Sequence, residues 1–209
     1  MKCNLCGQRI FHARGLKLRL CTSCLKGLEP VLYSRHMMTL KRDTFKLSVL
    51  YSYTDSTKNI IYNFKFSKQL KMLKTISCLM LELLDLKNCP DLIVPVPSHP
   101  MDEIKRGYSH MSITANYLSK LTGIKSLDAV KRKFFPVIKR NQKFKSREQR
   151  LKGPKKFKLR VDVQKIEQKN ILLIDDVTTT GSTVSECSQL LLDNGAKSVQ
   201  AVCLALTRL

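Results

Sequence analysis

"ILLIDDVTTTGST" occupies residues 171–183. Four apolar residues run into two adjacent aspartates, Asp175 and Asp176, and then into small hydroxyl residues around one glycine. A short apolar run of this kind reads as a parallel strand buried on both faces. The carboxyl end of such a strand is where open α/β sheets bind ligands. The stretch 177–183, beginning Val177-Thr178, leads into a helix whose first amides carry partial positive charge outward. Thr179, Thr180, Ser182 and Thr183 add hydroxyl donors, and Gly181 lets the backbone approach a ligand closely. Such a loop suits a phosphate. Two carboxylates would repel a phosphate and suit the hydroxyls of a sugar instead, so a phosphorylated ribose meets both halves. An ordinary strand end with a helix cap accounts for Ser182 and Thr183 but gives the paired aspartates no reason.

The neighbouring sequence repeats the strand and helix alternation. "GSTVSECSQLLLDNGA" (181–196) is a helix with Val184, Cys187, Leu190 and Leu191 on one face and Gly195 at its end; "SVQAVCLAL" (198–206) is a strand. Strand, loop, helix, strand predicts a right-handed parallel unit. Upstream, "KLSVLYSY" (46–53) has strand character. "STKNIIYNFKF" (56–66) opens a helix with Ser56 or Thr57 as N-cap. Leu70, Leu73, Ile76, Leu79 and Leu83 recur at helical spacing as a core stripe. "DLIVPVPSHP" (91–100) starts as a strand over 92–96 and breaks into a proline-rich loop. "HMSITANYLSKLTG" (110–123) is a helix ending on Gly123, and "SLDAVKRK" (126–133) begins a further element. The basic stretch 139–158 has little apolar pattern and reads as a long exposed loop.

The 171–183 stretch resembles the phosphoribosyl-pyrophosphate-binding signature of the type I phosphoribosyltransferases. A four-cysteine knuckle, "IIYNFKFSK", "DLIVPVPSHPMDEIKRGYSHMSITANYLSKLTG", "NQKFKSREQRLKG" and the signature follow one another as in the bacterial competence protein F family, across nearly the whole chain. The resemblance implies an α/β, Rossmann-like parallel sheet and binding of phosphoribosyl pyrophosphate with Mg²⁺. It implies ligand contacts at Asp175, Asp176, Val177, Thr178, Thr179, Thr180, Gly181, Ser182 and Thr183. It adds a pyrophosphate loop over 97–100, with Pro97 and Ser98, and a phosphate contact at Arg106. Catalytic roles fall to Asp175, Asp176 and Arg106. The family's mobile loop is matched through Gln142, Ser146, Arg147, Arg150 and Leu151; where the family usually carries glutamate and asparagine, this chain has Gln149 and Gly153. The implied reaction is displacement at the anomeric carbon with loss of pyrophosphate, and the implied setting is DNA uptake in natural transformation, among other uptake proteins. The histidines His12, His36, His99 and His110 have no paired context in the sequence and read as incidental polar residues.

Eight cysteines are present, four of them within the first twenty-four residues. Cys3 and Cys6, then Cys21 and Cys24, form two CxxC knuckles with fourteen residues between them. Two residues between thiolates let one tight turn aim both sulfurs at one ion, and the spacing of the pairs suits a closed tetrahedral Zn²⁺ site with a folding role. Disulfides or an iron–sulfur site are the competing readings. Gly7 fits the turn the first knuckle needs. Cys78, Cys89, Cys187 and Cys203 sit in apolar contexts as small core residues. The expected division is a zinc-binding module over 1–35 and a phosphoribosyltransferase-like domain over 36–209.

Thirty-eight Lys and Arg stand against 16 Asp and Glu, a formal net charge of +22. That predicts an acidic partner. The excess is concentrated: residues 131–160 hold fourteen Lys and Arg and one acid, Glu148. Lys139, Arg140, Lys143, Lys145, Arg147 and Arg150 are the expected contacts to single-stranded DNA. Phe134, Phe135, Phe144 and Phe157 interleave with the cations as stacking residues. The N-terminus lacks a secretory apolar stretch, and "ISCLMLELLDL" (76–86) is too short to span a bilayer and carries Glu82 and Asp85. A cytoplasmic protein is therefore expected, without membrane insertion. A nucleobase-salvage transferase is the alternative activity; it would require neither the knuckles nor this charge. A non-catalytic adaptor that keeps the pocket is the third reading.

Overall fold

The computed structural model describes residues 1–11, 17–28, 30, 36–39, 44–66, 71–82, 89–133 and 156–207. In chain order its elements are α1 (Thr22–Lys26), β1 (His36–Thr39), β2 (Thr44–Ser52), α2 (Asp55–Phe66), α3 (Lys71–Leu81), β3 (Leu92–Pro95), α4 (Pro100–Arg106), α5 (His110–Thr122), β4 (Lys125–Ser126), β5 (Val130–Arg132), β6 (Phe157–Leu159), β7 (Asn170–Thr178), α6 (Ser182–Asp193) and β8 (Ser198–Leu206). The strand expected at 171–174 is the middle of the sheet. β7 pairs in parallel with β3 on one side, Leu92 opposite Ile171 and Pro95 opposite Ile174. It pairs in parallel with β8 on the other, from Asn170 opposite Ser198 to Thr178 opposite Leu206. The strand order is β1-β2-β8-β7-β3-β4, all parallel except the edge strand β1. β5 and β6 form a separate antiparallel pair.

Alternation along β7 divides the core. Leu172 and Ile174 face one cluster with Ile60, Phe64, Ile76, Leu79, Met111 and Leu118, contributed by α2, α3 and α5. Ile171 and Leu173 face the other, with Val184, Cys187 and Leu191 of α6. A sheet covered on both faces explains why β7 is a continuous apolar run. The N-terminal residues Cys3, Ile10, Leu18, Leu20, Cys21 and Leu28 belong to the first cluster, so the knuckles share a core with α2 and α3. Thr75 of α3 donates its hydroxyl to Leu18 O at 2.7 Å.

Several boundaries differ from expectation. β7 runs on through Val177 and Thr178, which pair with Ala205 and Leu206, so the loop is confined to 179–181. The N-cap of α2 is Thr54, not Ser56 or Thr57. Thr57 N–H points to Thr54 Oγ1 at 3.5 Å, and Thr57 Oγ1 accepts the Thr54 N–H at 2.7 Å. This reciprocal box places the start two or three residues earlier. α4 was not anticipated, although its signals are in the sequence: His99 caps it by accepting Met101 N–H, Pro100 takes the first turn, and Gly107 closes it at φ 80°. Leu73, Ile76 and Leu79 are buried as the stripe predicts; Leu70 and Leu83 lie outside the described residues. Cys78, Cys187 and Cys203 are buried, but Cys89 is exposed and is no core residue. Phe157 is 2% exposed and lies under the Arg132 guanidinium, so it packs inside and cannot act as a surface stacking residue. Among the described residues, no helix is long and apolar enough to cross a membrane.

The Thr57 hydroxyl also donates to Ser52 O at 2.8 Å in a fully buried setting. Thr57→Val keeps the shape and strips those bonds, so denaturant unfolding should report a loss of about 1–3 kcal/mol.

Candidate functional site

The carboxyl ends of β3 and β7 lie side by side, and Val96 N–H donates to Ile174 O at 2.9 Å. That places the loop after β3 against the acidic pair. Asp175 and Asp176 follow the strand's alternation and leave on opposite sides. Asp176 is 4% exposed and projects toward α2 and α5. Its Oδ2 accepts from His110 Nε2 at 2.6 Å and from Lys65 Nζ at 2.8 Å. Burial works to raise the Asp176 pKa, but the His110 hydrogen bond and the Lys65 ammonium outweigh it and hold the carboxyl below the usual aspartate range. Asp175 is half-buried beside Cys203 of β8, and its Oδ1 accepts the Asp176 N–H at 2.9 Å. Burial, then the neighbouring Asp176 charge, push Asp175 well above the usual range. One residue apart, the two carboxyls are tuned in opposite directions.

His110 is the residue the sequence reading missed. The absence of a paired context is corrected here: it is 3% exposed, and Phe64 packs edge-on at 5.5 Å between ring centroids. Ser98 Oγ lies 3.5 Å from its other ring nitrogen, Nδ1. Ser98, His110, Asp176 and Lys65 thus form one polar chain from the β3 loop to the end of α2. Tyr108 ties in the same turn by donating to Lys65 O at 3.3 Å. His99 is a helix cap. A cavity of about 290 Å³ opens beside this chain, lined by Pro97, Ser98, Ser109, Asp128, Arg132 and Arg160 among others. Arg106, at the end of α4, is not in that lining, and its Nε and Nη2 are buried without a hydrogen-bond partner.

At the end of β7, Thr179 and Thr180 are exposed and Gly181 turns the chain at φ 73° into α6. No side chain caps the amides of that helix. A twelve-residue helix with free leading N–H groups and hydroxyls at Ser182 and Thr183 can receive an anion. Thr178 is buried, and its carbonyl accepts Thr207 N–H at 3.0 Å. The candidate DNA contacts Lys139, Arg140, Lys143, Lys145, Arg147 and Arg150 lie outside the described residues, as do Phe134, Phe135 and Phe144.

The four N-terminal thiols converge, with all Sγ atoms within 4.8 Å of one another. Gly7 turns the first knuckle at φ 77° and donates to Cys3 O at 3.0 Å. A tetrahedral thiolate site has sulfurs about 3.8 Å apart, from metal–sulfur bonds of about 2.3 Å, so the set fits one metal ion. Burial raises the Cys3 pKa, but amide hydrogen bonds at Cys6, Cys21 and Leu5 more than offset this and bring it to about 7. Such a thiol is readily made a ligand.

The family described as phosphoribosyl transferase domain matches residues 66–208. Competence protein F of Haemophilus influenzae is 30% identical over 217 residues, covering 92% of this chain and 94% of that protein. The chain belongs to the phosphoribosyltransferase family, in the group of competence protein F. DNA utilization protein YhgH of Escherichia coli is 31% identical over 169 residues, covering 78% of this chain and 72% of that protein. Among solved structures, an adenine phosphoribosyltransferase from Thermoanaerobacter pseudethanolicus aligns at TM-score 0.42 and 13% identity, covering 88% of this chain and 98% of that one. The allosteric regulatory enzyme of purine biosynthesis aligns at TM-score 0.47 and 16% identity, covering 68% and 29%. The fold is the family's parallel sheet with a four-cysteine cluster at its N-terminus.

Opposite tuning predicts opposite mutational signs. A buried carboxyl held above its unfolded value destabilises the fold at neutral pH, so Asp175→Asn should unfold at a higher urea concentration than wild type at pH 7. Asp176→Asn should lose about 1–3 kcal/mol there. The Asp176 contribution is full above the unfolded aspartate value of about 3.9 and disappears as pH falls through its lower folded value. Urea titrations between neutral and acidic pH should therefore show the deficit of Asp176→Asn closing with acid.

Proposed function

We propose that this phosphoribosyltransferase-family protein binds phosphoribosyl pyrophosphate with Mg²⁺ and acts in the cytoplasm in DNA uptake, beside other uptake proteins and in contact with single-stranded DNA. One observation supports the reading: the uncapped N-terminus of α6, at Ser182, lies one short loop beyond the central strand whose final residues include Asp175 and Asp176. Amides and hydroxyls over 179–183 would hold the 5′-phosphate. Asp175 and Asp176 would accept hydrogen bonds from the ribose hydroxyls, with Lys65 and His110 fixing the Asp176 carboxylate. Pro97 and Ser98 would face the pyrophosphate. The unpartnered guanidinium nitrogens of Arg106 would find an anion there after a small rearrangement. Bound with the ligand, Mg²⁺ supplies charge stabilisation and templating for the leaving pyrophosphate. Cys3, Cys6, Cys21 and Cys24 would hold Zn²⁺, whose binding energy contributes to folding.

The test is calorimetry with phosphoribosyl pyrophosphate and Mg²⁺. Wild type should show saturable binding, and Asp175→Ala/Asp176→Ala should abolish it while the fold persists. Wild type without binding heat would remove the ligand assignment. Elemental analysis should find one zinc per chain. Stripping it with a chelator should lower Tm for the whole chain, because the knuckles share a core with α2 and α3.

A further inference from the structure

α2 carries a feature that the pocket does not use. Tyr62 is 62% exposed and Phe66 is 58% exposed, one helical turn apart. Their ring centroids are 4.9 Å apart at an interplanar angle of 41°. Large aromatics on a solvent face forgo burial worth on the order of 2 kcal/mol each. The same helix has a full apolar face elsewhere, formed by Ile60, Ile61 and Phe64. The charge in the sequence that follows the start of α2 has one sign. Between positions 56 and 81 the chain has five lysines, at 58, 65, 68, 71 and 74, and no carboxylate. The acid of α2, Asp55, stands at its opposite end. Lys58 is exposed, and Lys65 leans inward to Asp176. The aromatic pair therefore flanks the residue that holds the Asp176 carboxylate.

We infer that Tyr62 and Phe66 form a stacking platform for the unpaired bases of single-stranded nucleic acid. The exposed Lys58, one turn before Tyr62, meets its phosphates, so the strand runs along α2 at the edge of the ribose site. Base stacking on aromatic rings with cations tracking the backbone is the general mode of sequence-tolerant single-strand binding. A protein partner would meet the rings equally well, but a lysine-rich stretch of chain without acids over 56–81 favours a polyanion. The inference rests on the reading that this protein contacts single-stranded DNA, and it assigns a contact to residues other than those of the basic stretch 139–158.

Fluorescence anisotropy with a labelled oligothymidylate of about 20 nucleotides, longer than one typical binding site, tests it on the full chain. Tyr62→Ala and Phe66→Ala should each weaken binding about 5- to 150-fold, with Tm unchanged. Tyr62→Phe should bind as wild type does. The salt slope should survive the aromatic changes and fall by about 0.7 in Lys58→Ala. A duplex of the same length, its bases already stacked, should not sense either alanine. If wild type fails to bind the oligonucleotide, the DNA reading falls and the platform with it. If wild type binds and both alanine variants match it, the platform alone is overturned. Loss of self-association in the variants, seen by sedimentation without loss of DNA binding, also overturns it and marks the rings as a contact between copies.

Discussion

A carboxylate at the end of a strand buried on both faces must find donors, because an isolated buried charge costs several kcal/mol. Asp176 meets that demand with two partners from distant parts of the chain, Lys65 and His110, both on one oxygen. The consequence reaches well beyond the pair. Lys65 closes α2, His110 opens α5, and Ser98 touches the His110 ring from the loop after β3. One buried charge therefore ties together α2, α5 and the loop after β3, the last two of which also line the cavity. The site is built around a constraint of folding, and the same constraint orients the groups that would meet a ligand.

Asp175 shows the other side of that arrangement. It stands one residue away, on the opposite side of the strand, half-buried and raised by burial and by the Asp176 charge. Nothing in the folding of the sheet requires a carboxyl there. An amide would keep the bond to the Asp176 N–H without the electrostatic penalty. Under the proposed function, Asp176 would serve both structure and ligand, and Asp175 would serve the ligand alone.

Strand β7, the loop at 179–181 and α6 are contiguous, and their logic is local: an apolar run, a turn glycine, a helical stripe. They could be read directly, as could the four cysteines, whose spacing encodes their convergence. The Lys65–Asp176–His110 contact could not, because no periodicity links residues that meet only when α2 and α5 pack on the sheet. His110 looked incidental for that reason. The Thr54 cap was missed because serine and threonine crowd positions 52–57 and several could cap. α4 was missed although Pro100 and Gly107 delimit it, since three prolines within 95–100 suggest an irregular loop. Phe157 looked like a stacking residue from composition, yet strand pairing with β5 turns it into the core under Arg132.

α2 connects these observations. Its buried face, through Ile60, Ile61 and Phe64, packs in the cluster that includes Cys3, Cys21 and Leu18 of the knuckles. Its flank delivers Lys65 to Asp176, and its outer face holds the aromatic pair. A metal that organised the knuckles would therefore stabilise the helix that sets the Asp176 carboxylate, without any metal–ligand contact at the pocket. Coupling of that kind requires only that both ends share one rigid, well-packed element, since close-packed cores transmit strain. It would give the four-cysteine module a reason to accompany this sheet, as a brace for the helix whose Lys65 holds the Asp176 carboxylate.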